Sequence, residues 1–217
     1  KLTDTSLATK DFPFMSFRRV NIGMAPVWLS RMTYTGDLGY EIWIAPEYQR
    51  YLFDLIWDAG KEFDMRLFGF RALITMRLEK NFGTWYREFR PIYTPLESGM
   101  ERAMKFDHEF IGRAAVEAEM KTGPARKLVM FRVDVDKDKP ADVLGDEPVF
   151  HNGEVVGWIT SGGYAHYSGV SLALGYIPAA LAAEGTTGFE IEIIGNMRPA
   201  HLQLEPVLDP SGSRMRA

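Results

Sequence analysis

The sequence predicts an α+β region followed by an all-β unit, with the boundary near Ala125. Before that residue, two segments repeat apolar side chains at the spacing of amphipathic helices, and β-branched and aromatic runs precede them. After it, the apolar runs are short, β-prone and bounded by Gly or Pro. The 217 residues are 46% hydrophobic and 25% charged, which is typical of globular proteins and excludes disordered, collagen-like and coiled-coil chains. We therefore expect two domains, residues 1–125 and 126–217.

The sequence of the first region, residues 1–125, predicts two strands, two helices, a long loop and a short helix. The strands are rich in β-branched and aromatic residues. The first helix begins at Pro46, a favoured first helical position, and ends at Gly60. The loop carries arginine and aromatic side chains without any period. These elements cover, in order, residues 26–34, 40–44, 46–60, 69–80, 81–103 and 112–120. One side of the second helix is predicted to hold Phe70, Leu73, Ile74, Arg77 and Leu78.

The second region predicts short antiparallel strands. Residues 127–135 form the first, and a charged loop over 136–140 follows. A hairpin is expected where Asn152-Gly153 separates two apolar runs. Its strands and the later ones cover residues 148–151, 154–157, 158–161, 171–177, 188–194 and 199–205. This spacing is typical of a barrel or a sandwich. The segment from Val155 to Ala183 has no formal charge, but its glycines and polar residues favour buried β structure over a membrane helix.

Composition excludes several classes of site. The chain has no cysteine, which removes disulfides, thiolate nucleophiles and cysteine-ligated metals. Its four histidines stand in four separate segments, so no metal site is expected. His166 lies near Ser161 and Ser168, but no third group or nucleophile elbow accompanies them. No glycine-rich phosphate loop is present, so a flavin or nicotinamide would be bound by another segment. No signal peptide opens the chain, and we expect a cytoplasmic protein without membrane contact.

The segment from Arg31 to Ile42 is the first candidate functional feature. Gly36 and Gly39 permit a tight turn, and Glu41 lies on the strand that follows. Side chains alternate along a strand, so Glu41 and Trp43 should share one face. A glutamate among so many apolar residues is expected either to be solvated at an edge or to pair with hydrogen-bond donors. A hairpin with a surface glutamate remains the alternative.

The segment from Arg77 to Arg90 is the second feature, because basic residues alternate there with Trp85, Tyr86 and Phe89. Such a segment can bind single-stranded nucleic acid, or hold a planar heterocycle with an anionic tail. It can equally be a loop packed on the protein, with its arginines paired to Glu79 and Glu88. An isoelectric point near 5.6 argues against nucleic acid, which is not expected as a partner.

Five ordered motifs give the chain a family resemblance. The segment from Arg31 to Ile42 resembles the R-x-x-Y-T-G-E-x-G-Y-E-I signature of the folate-dependent aminomethyltransferases, the glycine cleavage T-protein and its relatives. Residues 71–80 with Trp85 are similar to the R-A-L-x-S-x-R-L-E-K-x-x-x-x-W pattern of the branch that follows a flavin domain in dimethylglycine and sarcosine dehydrogenases. The remaining matches are F-I-G-R at 110–113, G-W-I-T-S-G at 157–162 and A-L-G-Y-I at 173–177.

The resemblance implies a T-protein-like folate-binding α+β core followed by a small C-terminal β-barrel. It also implies that Glu41 accepts hydrogen bonds from the pterin ring of tetrahydrofolate and that Tyr34 lines the same cavity. A carboxylate can accept two parallel N–H donors from a pterin edge, which makes this role chemically reasonable. Trp85 and Tyr86 are further candidates for contact with the cofactor.

Three departures qualify the resemblance. Asp37 replaces the glutamate of T-G-E, and Leu73 stands where the T-protein branch has a folate-binding arginine, which favours the dehydrogenase-like branch. The family's N-terminal half, with its catalytic aspartate, has no counterpart here. We therefore predict the C-terminal portion of a longer enzyme whose general base lies outside this chain, and no catalytic residue is nominated.

The predicted function is that of a tetrahydrofolate-dependent one-carbon transferase, coupled to oxidation of an N-methylated glycine. Its partners would be folate, an amine substrate and an upstream segment of the same polypeptide. FAD is expected only if that segment contains a flavin domain. The isolated chain should be inactive. The alternative is a non-catalytic folate-fold scaffold or a tRNA-related module.

Overall fold

A computed structural model describes residues 1–136, 138 and 141–217. Lys137, Lys139 and Pro140, which belong to the predicted charged loop, lie outside the described residues. The chain divides into two compact units, one comprising residues 1–76 and 209–217 and the other residues 77–208. The second unit thus groups residues 77–125 with the barrel strands, whereas the sequence places a domain boundary at residue 125. That boundary stays a prediction.

The first unit contains a three-stranded antiparallel sheet in the order β1-β2-β3. The strands are β1 (Phe17–Ile22), β2 (Ala25–Ser30) and β3 (Glu41–Ile44). A two-residue turn joins β1 to β2, with Ile22 paired to Ala25. The inner face of the sheet packs on helix α1 (Gln49–Gly60), which a 3-10 turn at Pro46–Tyr48 precedes as the proline predicts. The sequence did not predict β1, because its arginines and asparagine interrupt the apolar pattern.

Helix α2 (Phe70–Glu79) has nearly the predicted extent, and the residues predicted on its buried side are half-buried or buried except for Phe70. Phe70, expected on the buried side, is 75% exposed. The last turn is instead buried all round, at Arg77, Leu78 and Glu79. Leu78 packs against barrel residues such as Leu172 and Leu174. The helix is therefore buried on its predicted side towards its end, where burial extends all round it, and the first residue of that side is exposed.

The second unit contains a closed six-stranded barrel, which confirms the predicted all-β barrel. Its strand order is β4-β7-β6-β5-β8-β9, with all neighbours antiparallel. Apolar side chains from every strand fill the interior. The strands are β4 (Arg126–Val133), β5 (Pro148–His151), β6 (Glu154–Ala165), β7 (Val170–Pro178), β8 (Phe189–Ile193) and β9 (Asn196–Gln203).

The barrel strands agree with the sequence in their turns and differ in their lengths. Asn152 and Gly153 have φ angles of 52° and 87°, as a two-residue hairpin turn with a left-handed backbone requires. The predicted runs at 154–157 and 158–161 form one long strand, β6, whose pairing with β7 shifts register between Ile159 and Ser161. Val155 to Ala183 is β structure and a short 3-10 turn, as predicted. No helix in the described residues has the length and apolarity needed to cross a membrane.

A long irregular segment and a helix precede the barrel within the second unit. Residues 81–100 contain turns without a helix or strand, as the loss of periodicity predicts, and Glu101–Ala103 form a 3-10 turn. Helix α3 (Arg113–Thr122) ends at Gly123, which has a positive φ of 79°. The segment is tied to the first barrel strand by a hydrogen bond from the Leu128 amide to the Glu97 carbonyl, 2.8 Å long. Helix α4 (Ser213–Arg216) belongs to the first unit.

Candidate functional site

The turn before β3 is built by a threonine side chain. The Thr33 hydroxyl oxygen accepts hydrogen bonds from the amides of Thr35, at 3.1 Å, and Gly36, at 3.2 Å. Gly36 has a φ of 91°, a conformation that favours glycine. Tyr34 is half-buried within this turn. Asp37, the shorter carboxylate of the motif, is exposed and lies 3.5 Å from Nη1 of Arg214. The turn therefore fixes where β3 begins.

Glu41 is the first residue of β3, and its side chain is exposed. Trp43 is exposed as well, whereas Ile42 and Ile44 are half-buried, so the predicted alternation of faces is correct. Within the described residues, the Glu41 carboxylate has no hydrogen bond or ion pair; only its backbone carbonyl accepts a contact, from the Ser30 hydroxyl at 3.4 Å. The carboxylate is therefore open to a ligand that carries hydrogen-bond donors.

The outer face of the sheet next to Glu41 is aromatic, a feature that the sequence reasoning missed. Trp43 lies directly opposite Trp28 on β2, and Trp28 lies opposite Arg19 on β1. The Phe17 ring stacks on Trp28, with centroids 5.0 Å apart and an interplanar angle of 4°. Pairing the sequence of β2 with that of β3 could have revealed Trp28, because directly opposed side chains lie on the same face of a sheet. This face presents rings, a cation and a carboxylate together.

In the second unit, the segment from Asn81 to Tyr93, here called the aromatic loop, exposes the two predicted aromatic contacts. Trp85 is 74% exposed and Tyr86 is 87% exposed. Trp85 meets Phe89 edge to face, with ring centroids 5.7 Å apart. Both rings line an open pocket of about 270 Å³, together with Arg90, Tyr93, Thr94, Pro95, Ser98, Met100, Ala103 and Met104. Tyr86 is not among the lining residues. The pocket is largely apolar and contains one arginine.

Other parts of the aromatic loop are packed on the protein. Nη1 of Arg77 lies 3.3 Å from Oε2 of Glu88, and both side chains are buried. Glu79, the other carboxylate considered from the sequence, instead accepts a hydrogen bond from the Ser168 hydroxyl at 2.6 Å and one from the Tyr167 amide at 3.2 Å. The packed-loop interpretation is therefore correct for Glu88, while Trp85 and Tyr86 project outward.

The four predicted contact residues thus lie in two units, Tyr34 and Glu41 in the first and Trp85 and Tyr86 in the second. The first offers an unpaired carboxylate beside aromatic rings, and the second an aromatic pocket with an arginine. Taken separately, the carboxylate of the first unit can accept N–H donors from a heterocycle, and the pocket of the second unit can hold a flat ring next to an anionic group. Among the described residues, no group of three or more histidine and acidic side chains is placed to hold a metal ion.

Comparisons with known proteins agree on one family. The chain is 35% identical to mouse dimethylglycine dehydrogenase over its whole length, and 30% identical to the mouse pyruvate dehydrogenase phosphatase regulatory subunit over 95% of it. Both relatives are mitochondrial, and the chain spans about a quarter of the length of each, 25% in both cases. The crystal structure of aminomethyltransferase T from Bartonella henselae superposes with a TM-score of 0.80 at 23% identity, covering 95% of this chain and 56% of that one.

Two family models match consecutive parts of the chain. The GCVT N-terminal domain matches residues 1–108, and the glycine cleavage T-protein C-terminal barrel domain matches residues 126–209. The second range contains all six strands of the barrel. The chain therefore belongs to the glycine cleavage T-protein family.

Proposed function

We propose that this chain forms part of a tetrahydrofolate-dependent one-carbon transferase. The observation that carries the proposal is Glu41, which stands in the Y-T-G-x-x-G-Y-E segment with an exposed carboxylate that has no partner among the described residues. A carboxylate left open in this way can accept two parallel N–H donors from a heterocycle, and such charge-assisted contacts are stronger than neutral ones.

The residues of the chain fit folate in their chemistry. Glu41 would hold the pterin edge, and Tyr34 would line the same cavity. In the second unit, Trp85 provides a ring able to stack on a planar ligand in the pocket that also contains Arg90, whose charge suits an anionic tail. Tyr86 exposes a second ring outside the lining of that pocket. Bound tetrahydrofolate would supply the nitrogen that captures the one-carbon unit. The protein's own part is to orient the reactants and exclude water.

We further propose that the transfer is coupled to oxidation of an N-methylated glycine. Support comes from the 35% identity to a dimethylglycine dehydrogenase and from Leu73, which favours the dehydrogenase-like branch. In this proposal a flavin domain elsewhere in the same polypeptide oxidises the amine, and the general base also lies elsewhere. The expected cytoplasmic location stays a prediction, since the named mouse relatives are mitochondrial.

A non-catalytic role is the second candidate. It is favoured by the 30% identity to a protein named as a regulatory subunit, which covers 95% of this chain. In that case the fold would serve as a scaffold, and the aromatic outer face of the sheet would have no substrate to position.

The two candidates separate in an experiment on the natural full-length polypeptide. Tetrahydrofolate, kept reduced, is titrated by calorimetry, and dimethylglycine and sarcosine are then tested as one-carbon donors with folate as acceptor. Saturable binding together with donor-dependent conversion of folate supports the transferase. Absence of folate binding contradicts it, and binding without conversion of either donor favours the scaffold. The 217-residue chain, assayed in parallel, is expected to show no turnover.

A further inference from the structure

Glu88 lies at the centre of the aromatic loop and is completely buried, with 0% of its surface exposed. Its Oε2 atom accepts hydrogen bonds from the Thr84 amide at 2.7 Å and from Nη1 of Arg77 at 3.3 Å. Its Oε1 atom accepts from the hydroxyls of Thr160, at 2.5 Å, and Ser161. The carboxylate therefore joins the loop, the end of helix α2 and barrel strand β6.

The two hydroxyls come from consecutive residues, which normally point to opposite faces of a strand. Here the pairing of β6 with β7 shifts register between Ile159 and Ser161, so Thr160 lies in a bulge. Bulges redirect side chains, and this one brings Thr160 and Ser161 to the same carboxylate oxygen. The bulge in strand β6 thus places both hydroxyls where they bind Glu88 of the aromatic loop.

A second attachment uses the backbone of Glu88. The Tyr176 hydroxyl, on strand β7, donates to the Glu88 carbonyl at 2.7 Å. The same phenol lies 2.9 Å from the Ser98 hydroxyl, and its ring stacks on Tyr93 with centroids 3.8 Å apart. Tyr93 and Ser98 both line the pocket that contains Trp85 and Phe89. Two pocket residues that follow Glu88 in the sequence, Tyr93 and Ser98, are therefore held against barrel strand β7.

We infer that Glu88 is a positioning residue, which holds the Trp85 and Phe89 wall of the pocket in its binding geometry by anchoring the aromatic loop to strand β6. That the ligand is folate rests on the proposed function; the anchoring does not. A loop ordered before binding loses less conformational entropy when the ligand arrives, so anchoring raises affinity without any contact between Glu88 and ligand.

The buried ion pair of Arg77 and Glu88 fits a positioning role better than a role in stability alone. Apolar residues of similar volume usually stabilise a core at least as well as a buried pair does. A carboxylate with four donors instead accepts one arrangement of the surrounding groups, since each donor left without its acceptor is penalised. Glu88 thereby selects a single conformation for the loop.

The test uses the natural full-length polypeptide and three variants. Glu88→Ala would leave a buried cation without its partner and is expected to prevent folding, so Ser161→Ala is the informative change. It removes one donor to Glu88, and Ser161 is not among the residues that line the pocket. Ser168→Ala is the matched control, because it removes a hydroxyl donor from another buried carboxylate, Glu79. Glu88→Gln keeps the shape but removes the charge that faces Arg77 and one of the two acceptor oxygens, so it should affect the loop at least as strongly as Ser161→Ala.

Two measurements are made, hydrogen exchange by mass spectrometry and titration with tetrahydrofolate. For Ser161→Ala we expect amide exchange over residues 84–93 to accelerate about tenfold while strands β4 and β7 stay unchanged, and folate affinity to fall about tenfold. Ser168→Ala should change neither. Unchanged exchange over 84–93, or acceleration spread equally over the barrel, overturns the inference. If wild type binds no folate, the proposed function is wrong, and the exchange result alone decides the role of Glu88.

Discussion

Glu41 and Trp43 project from the same outer face of the sheet, two residues apart on β3, and both are exposed. Trp28 lies opposite Trp43 and adds a second ring to this face. An anionic acceptor beside aromatic rings is a chemical match for a planar ring with N–H donors. The role of Glu41 can therefore be tested through binding.

Glu41→Gln is expected to weaken tetrahydrofolate binding about tenfold to a hundredfold, measured by titration of the full-length polypeptide. The substitution keeps the shape of the side chain but replaces one acceptor oxygen by a donor. That donor would oppose a donor on the ligand and leave both unsatisfied.

The control for this change is Glu47→Gln, which alters an exposed carboxylate in the 3-10 turn ahead of helix α1. It should leave the dissociation constant as in wild type. An equal dissociation constant for Glu41→Gln would mean that Glu41 is a surface residue of the hairpin, and the proposed pterin contact would be wrong.

The buried pair of Arg77 and Glu88 predicts a strong and coupled effect on stability. Arg77→Met should lower the free energy of unfolding by about 3–5 kcal/mol, because Glu88 would remain charged and buried without its cation. In the double variant Arg77→Met with Glu88→Gln, the loss should be clearly smaller than the sum of the two single losses. Denaturant unfolding of all three variants measures the coupling.

Arg50→Met is the comparison for that cycle, since Arg50 and Asp54 form an exposed pair at 3.9 Å on helix α1. Its loss should barely change the free energy of unfolding. Strict additivity of the Arg77 and Glu88 changes would show that the two side chains do not stabilise one another.

Local chemistry made parts of this fold predictable. Pro46 marks the start of a helix through its fixed φ angle, and Asn152-Gly153 marks a hairpin because both residues tolerate a left-handed backbone. That Glu41 and Trp43 share one face followed from strand alternation alone. Each of these features depends on interactions among a few neighbouring residues.

Other features depend on residues far apart in sequence. Arg77 was placed on an apolar helix side, but its burial depends on Glu88, eleven positions further along in an irregular loop. The pocket likewise depends on Tyr176, which contacts Tyr93 from a barrel strand. The bulge at Thr160 has no local sequence signature. Tertiary contacts decided all three, so periodicity and motifs could not predict the pocket or the bulge, and they offered the pairing of an arginine with Glu88 only as one of several interpretations of the loop.

Gly157 is predicted to be intolerant of any side chain. A Cβ atom there would lie 2.0 Å from the backbone carbonyl oxygen of Tyr176, on the neighbouring strand. The nearest atom is a backbone oxygen of a paired strand, so it cannot move away as the end of a flexible side chain could. Gly157→Ala should therefore lower the free energy of unfolding by about 3 kcal/mol or more, measured by denaturant titration.

Gly69→Ala provides the matched glycine change, because nothing lies within 4 Å of the Cβ position at Gly69. Its effect should stay within about 1 kcal/mol, as expected for a residue at the start of a helix. A Gly157→Ala protein as stable as wild type would contradict the close approach of β6 and β7.

The burial of Tyr176 predicts that its phenol ionises late when the protein is titrated to alkaline pH. Burial raises the pKa of its phenol to about 12, because the phenolate would lose its hydration between strand β7 and the aromatic loop. Between the ordinary pKa of tyrosine, about 10, and this value, the folded state keeps a proton that the unfolded state releases. Stability should therefore fall as pH rises through this window, and it should be insensitive to this group below it.

Phenolate absorbance should show a tyrosine that ionises late among the nine in the chain. Tyr176→Phe should remove that step, while Tyr86→Phe, which alters an exposed ring, should leave it in place. If the late step persists in Tyr176→Phe, the phenol of Tyr176 is not the buried group that holds its proton, and its hydrogen bond to the Glu88 carbonyl is not maintained in solution.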